Sequence, residues 1–274
     1  MQLLKLNSRN DAVKMLQELL NEIGYNIPTT GFFGQVTDQS VRDFQRKNNL
    51  VVDGIIYTKS WTTLINKSPI DLTKMQNKFL KESDILSLAE QLQIEPAIIK
   101  AINSVESSGR GFFIDGRPKI LFEGHVFWKQ LQQRGYNPAV MQKGFENVLY
   151  PSWTKKYYYG DKREWDRMEM ALSISSEADV AEAAYASASY GLFQIMGFHF
   201  KSLGYDDILQ FVAEMKENEG MQLHAFGKFV KVNNLLKYLK QYQWAEFALR
   251  YNGTGYKANQ YDTKLAAAFK KFST

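Results

Sequence analysis

"VESSGRGFFIDGRPKILFEGH", residues 105–125, places two glutamates, Glu106 and Glu123, on either side of an Asp-Gly turn. The helix expected from Pro96, a residue suited to a first helical position, carries Ile98, Ile99, Ile102 and Val105 on one face. Glu106 follows Ile102 by four positions and Ile99 by seven, so its carboxyl emerges on the apolar stripe and not on the solvent side. Desolvation there favours the neutral acid, the state a general acid needs near neutral pH. Gly109 and Gly111 mark a helix stop, and on helix geometry alone a glutamate at a frayed helix end fits equally well. The stretch beyond the helix shifts the balance. "GFFIDGRPKILF" reads as a hairpin: an apolar run, Asp115-Gly116 as the turn, then strand formers from Lys119 to Phe122. A chain reversing at Asp115 returns toward the helix end it left and brings Glu123 near the same cleft. Glycoside hydrolysis uses such a pair, with one protonated carboxyl for the leaving oxygen and one carboxylate as nucleophile, base or stabiliser. His125, two positions after Glu123, shares its face on a continuing strand and is within reach of that carboxylate or a sugar hydroxyl; a structural histidine is the plainer alternative.

Length and composition bound the rest. A chain of 274 residues with 45% hydrophobic and 14% aromatic side chains has material for two globular domains. The net charge of +5 is scattered, which gives a mild attraction to polyanions and no nucleic-acid partner. With no cysteine, disulfides, thiolate zinc sites and cysteine nucleophiles are excluded. His125, His199 and His224 are too dispersed for a metal site, no His-Glu-x-x-His occurs, and neither a Gly-x-Ser-x-Gly elbow nor a phosphate loop is present. Neither metal nor cofactor is expected. The N-terminus lacks a signal-peptide h-region, and no stretch is apolar enough to span a bilayer. The expectation is a monomer made in the cytoplasm, without stable membrane insertion, that meets an outside target only after release by another factor. The last helix, "DTKLAAAFKKF", reads as a final core helix whose lysines suit its dipole.

Near the N-terminus the sequence repeats. Val13, Leu16, Gln17 and then Gly31, Phe32, Phe33 correspond to Val41, Phe44, Gln45 and then Gly54, Ile55, Ile56. Each half is an amphipathic helix followed by a Gly turn, and neither buries its face alone. A further helix from near Thr58, with Trp61 and Leu64, completes a compact three-helix unit. "AVKMLQELLNEIGY", "GFFGQVTDQSVRDFQRKNNL" and "VDGIIYTKSWTTL" resemble the peptidoglycan-binding domain of wall hydrolases. "NKSPIDLTKMQNKFLKES" reads as a linker, with Ser83 as the N-cap of the next helix.

The stretch "IKAINSVESSGRGFFIDGRPKILFEGHVF" resembles the opening of the N-acetylmuramidase domain of modular phage endolysins, which have a catalytic glutamate in a Glu-Ser pair and a second glutamate after a hairpin. "SYGLFQIMGFHF", residues 189–200, resembles the Gly-Leu-Met-Gln-Ile motif of lysozyme-like folds, with Phe193 at the Met position, and "RYNGTGY", residues 250–256, resembles their Tyr-Asn-Gly motif. The resemblance implies Glu106 as catalytic acid and Glu123 as second carboxylate. It implies Ser107, Tyr190, Gln194, Tyr251 and Asn252 along the sugar cleft, with His125 beside them. For Gln194, in a stretch read as helical, a buried helix-helix hydrogen bond is the alternative. The long insert between Glu106 and Gly191 favours the muramidases over the lytic transglycosylases, and leaves the aromatic run 150–159 without a motif. The expected architecture is mainly α. A three-helix peptidoglycan-binding domain (1–67) and a linker (68–80) precede an α-helical lysozyme-like domain with a short β-hairpin (81–274). The implied activity is cleavage of peptidoglycan between N-acetylmuramic acid and N-acetylglucosamine. A lytic transglycosylase and a non-catalytic wall-binding protein are the rivals.

Overall fold

The computed structural model describes residues 2–71, 75, 77–106 and 110–273, without the side chain of Glu106. Ser107 and Gly109 therefore lie outside the described residues, as do 72–74 and 76 of the expected linker. The chain divides into two compact units, residues 1–76 with 114–116, and residues 77–113 with 117–274. No helix among the described residues is long and apolar enough to cross a membrane.

The first unit is built on α1 (Asp11–Glu22), α2 (Gln35–Lys47) and α3 (Thr58–Lys67). The sequence repeat has a physical basis in its two buried glutamines. Gln17 Nε2 donates to Phe32 O at 2.9 Å while its Oε1 accepts from Gly31 N at 2.9 Å. Gln45 does the same one repeat later, donating to Ile55 O at 2.9 Å and accepting from Gly54 N at 3.0 Å. Each helix thus clamps the turn after it, and Gly31 and Gly54 sit at matching left-handed φ of 73° and 74°. Val13, Leu16, Val41, Phe44, Trp61 and Leu64 fill the core between the helices.

The second unit opens with α4 (Glu82–Leu92) and α5 (Pro96–Glu106). The N-cap of α4 is Lys81 and not Ser83, because the Asp84 carboxylate reaches back to Lys81 N at 2.9 Å and starts the helix two residues earlier. Then come β1 (Ile120–Phe122), α6 (Gly124–Gln133), α7 (Pro138–Met141), α8 (Arg163–Leu172) and α9 (Ala178–Ala186). β2 (Ala188–Tyr190) and β3 (Ile195–Met196) are next, and α10 (Ile208–Glu217), α11 (Glu219–Val232), α12 (Leu236–Lys240), α13 (Trp244–Asn252) and α14 (Tyr261–Phe272) complete the chain. α5 packs along α14, with α4 beside it and α11 across α4. A Cβ on Gly227 of α11 would come within 2.3 Å of the Leu88 side chain, so a larger residue there would have to displace it.

The three strands form an antiparallel sheet in the order β1-β2-β3. The expected hairpin reverses where the sequence places it, with Gly116 at φ 83° and Phe113 N donating to Arg117 O at 2.8 Å. Its arms share one bridge among the described residues, Phe112–Pro118, flanked by Lys119 N donating to Gly111 O at 2.8 Å. Beyond Pro118, which has no N–H to donate, β1 takes β2 as its partner, with Ile120 opposite Tyr190 and Phe122 opposite Ala188.

Candidate active site

Strand alternation divides the sheet into two faces. Ile120, Phe122, Ala188, Tyr190 and Ile195 point into the core, whereas Leu121, Ser189 and Met196, aligned by register, share the other face. Glu123 N donates to Ser187 O at 2.9 Å and extends that register by one residue. Glu123 therefore falls on the face of Leu121 and Ser189, roughly 7 Å along the strand from the level of Ser189.

Tyr190 is a core residue, 1% exposed, with its hydroxyl donating to Tyr185 O at 2.8 Å and its ring edge-on to Phe211. The expectation that it lines the sugar cleft is corrected: one residue after Ser189, it alternates to the inner face. Gln194 is not helical. It occupies the turn between β2 and β3 at φ 48°, exposed to solvent, where its Nε2 donates to Gly191 O at 2.7 Å and its Oε1 accepts from Ser189 Oγ at 2.8 Å. The turn begins at Gly191, φ 70°, where an added Cβ would lie 2.4 Å from Gln222.

Two residues of α11 brace this region. Gln222 Oε1 accepts from Leu192 N at 2.7 Å, and Glu219 accepts from Gly111 N at 2.6 Å and Leu80 N at 2.8 Å. Burial pushes the Glu219 carboxyl up, and those two N–H groups oppose the shift. One helical turn thus fixes both the chain after α5 and the β2–β3 turn.

α13 completes this wall. Tyr251 Oη donates to Phe193 O at 3.1 Å, with its ring stacked on Phe247. The next residue, Asn252, is exposed and lines a cavity of about 360 Å³ with Tyr256, Asn259, Lys264 and Val105, the penultimate residue of α5. Asn252 therefore lies beside the last turn of α5, and Tyr251 reaches the backbone next to Gln194; position 106, where α5 ends, is in phase with the buried Ile99 and Ile102.

Glu123 sits at the N-cap of α6 but does not cap it. Its side chain, 15% exposed, turns instead to Tyr158, whose hydroxyl donates to Oε2. His125 is the second residue of α6 and not part of a strand, since the helix starts at Gly124; its Nδ1 still lies 3.3 Å from Glu123 Oε2. Burial lowers the affinity of His125 for a proton and Lys129 adds to this, while Glu123 opposes it. Behind them Tyr150 accepts from Gly124 N at 3.3 Å, so two tyrosines of the run 150–159, Tyr150 and Tyr158, lie next to Glu123. Tyr150 and Tyr157 pack ring against ring at 5.2 Å, and Tyr158 bonds to Glu123.

The model of the N-acetylmuramidase family matches residues 95–273, the segment that contains both glutamates and the whole sheet. The chain belongs to the N-acetylmuramidase family. A putative peptidoglycan-binding domain matches residues 9–64, the repeat unit ahead of the muramidase unit. The crystal structure of the Burkholderia AP3 phage endolysin is similar over 99% of both chains, at 36% identity and a TM-score of 0.68. A fused Zn-dependent amidase/peptidase and peptidoglycan-binding protein of Clostridium acetobutylicum matches over 44% of this chain and 49% of that one, at 26% identity and a TM-score of 0.23, a likeness too slight to carry fold or function. The muramidase is a peptidoglycan hydrolase, a glycoside hydrolase joined to a wall-binding unit.

Proposed function

We propose that this muramidase is an endolysin that cuts the bond between N-acetylmuramic acid and N-acetylglucosamine by hydrolysis, using two carboxyl groups. Glu106 protonates the glycosidic oxygen as the bond breaks. Glu123, ionised, faces the positive charge developing on the muramic ring and serves the attack on its anomeric carbon. The observation that carries this reading is the face shared by Glu123 and the Ser189–Gln194 pair, beside the wall that Tyr251 and Asn252 build at the end of α5. Gln194 has its own amide satisfied within the turn, so it presents a fixed edge to a sugar hydroxyl or acetamido group. Asn252, exposed at the cavity, offers a second amide. Ser107, next to Glu106 in sequence, is assigned to the same subsite. The chain acts as a monomer, without nucleic acid, metal or cofactor, on the wall of the cell that made it once another factor lets it through.

Digestion of purified peptidoglycan in heavy-oxygen water tests the chemistry. A hydrolase places one heavy oxygen on each new reducing muramic end, detected by mass spectrometry of the muropeptides. Anhydromuramic ends without heavy oxygen would instead make the enzyme a transglycosylase, in which the muramic hydroxymethyl oxygen closes the ring in place of water.

A further inference from the structure

We propose that Tyr158 is a positioning residue for catalysis: its hydroxyl holds the Glu123 carboxylate in its working orientation, and the buried Glu164–Arg167 pair fixes both partners. The inference rests on the reading of Glu123 as the second carboxylate.

The connectivity is specific. Tyr158 donates to Oε2 of Glu123 from the loop that leads into α8. Glu164, in the first turn of α8, is fully buried, and its Oε1 accepts from Tyr159 N at 2.7 Å and Gly160 N at 3.1 Å. Its Oε2 accepts from Phe122 N at 3.2 Å and from Arg167 Nη1 at 2.7 Å. Arg167 Nη1 also donates to Phe122 O at 2.7 Å, and its Nη2 donates to Asn147 O at 3.1 Å. One buried carboxylate therefore grips the residue just before Glu123 and the residue just after Tyr158. The guanidinium closes the clamp and lies over the Tyr158 ring at 5.7 Å. A buried ion pair is costly to assemble and is a poor device for stability alone; here it locks two segments into one register.

The hydroxyl is suited to the task. Burial first, and then Glu123 itself, hold the Tyr158 phenol well above the usual tyrosine range, so it remains a donor at physiological pH. The other titratable groups around the carboxylate are His125 on α6, Tyr150 in the loop and Arg167 on α8. A donor fixed on one oxygen leaves the other carboxylate oxygen for the reaction, and a carboxylate free to rotate would lose that selectivity.

The test compares Tyr158→Phe with Glu123→Gln and Tyr205→Phe on solubilised peptidoglycan, at a temperature where circular dichroism shows each variant folded. Tyr205→Phe removes a bond of the same kind, to Glu214 at 2.9 Å, elsewhere in the second unit, and is expected to retain wild-type activity. Tyr158→Phe keeps the ring and is expected to lower kcat about 10- to 100-fold, the worth of one hydrogen bond to a charged group, with KM unchanged. A kcat within about twofold of wild type, or a fall in Tyr158→Phe no larger than in Tyr205→Phe, overturns the inference. The two ideas fail separately. If Glu123→Gln is inactive while Tyr158→Phe is active, only the positioning role falls; if Glu123→Gln is active, the reading of Glu123 falls.

Discussion

Glu106→Gln is expected to lower turnover of purified peptidoglycan by about 10²- to 10⁴-fold, the range a positioned general acid contributes, while wall binding and the unfolding midpoint stay at wild-type values. The amide matches the carboxyl in shape and removes only the proton the leaving oxygen needs. The exchange leaves the backbone hydrogen bonds of α5 unchanged. Wall binding survives because the first unit holds its turns through Gln17 and Gln45, which this substitution does not touch. Muropeptide release timed by chromatography, with pull-down on intact sacculi, reads both quantities. Turnover within about tenfold of wild type would remove Glu106 from the proton transfer.

The largest expected effect on stability belongs to Arg167→Ala, at about 3–5 kcal/mol, because it leaves a carboxylate buried without its counter-charge. The Arg167 side chain is 2% exposed and that of Glu164 fully buried, so bulk solvent does not screen the charge left behind. Phe122 O and Asn147 O lose a donor at the same time, and the cation over the Phe122 ring at 5.4 Å disappears. Urea unfolding measured in the range where the second unit unfolds should show a lower midpoint at unchanged slope. A loss under about 1 kcal/mol would mean that the pair is wet and contributes as a surface bridge does.

Much of this is legible in the residues. The Gln17 and Gln45 repeat, the helix from Pro96 and the turn at Gly116 are local, and each comes from spacing or from a residue with one conformational specialty. The features that escape a sequence reading have identifiable causes. The partner of β1 is β2, some seventy residues downstream, and no local pattern announces a pairing made across that separation. "YGLFQI" reads as helix because a short apolar run does not separate helix from buried strand; the glycine inside it is the signal for a turn. His125 reads as part of a strand by its spacing from Glu123, although Phe127 and Leu131, four apart and both buried, mark a helix from Gly124. Glu164 and Arg167 share a helix face with Met168 and Ala171, so a charge pair on an apolar stripe is visible in the sequence. Its role is not, because the groups it holds belong to Phe122, Asn147, Tyr159 and Gly160. Tyr158 is one tyrosine in a run of three, and only the tertiary fold distinguishes it from its neighbours.

The most direct test of two-carboxylate hydrolysis is mass spectrometry of the muropeptides released by Glu123→Gln beside wild type, with Glu106→Gln as the inactive reference. Wild type should release reducing muramic ends, and Glu123→Gln no more product than Glu106→Gln releases. Product from Glu123→Gln at a rate near wild type, above all with anhydromuramic ends, would contradict two-carboxylate hydrolysis and leave Glu106 as the one essential carboxyl.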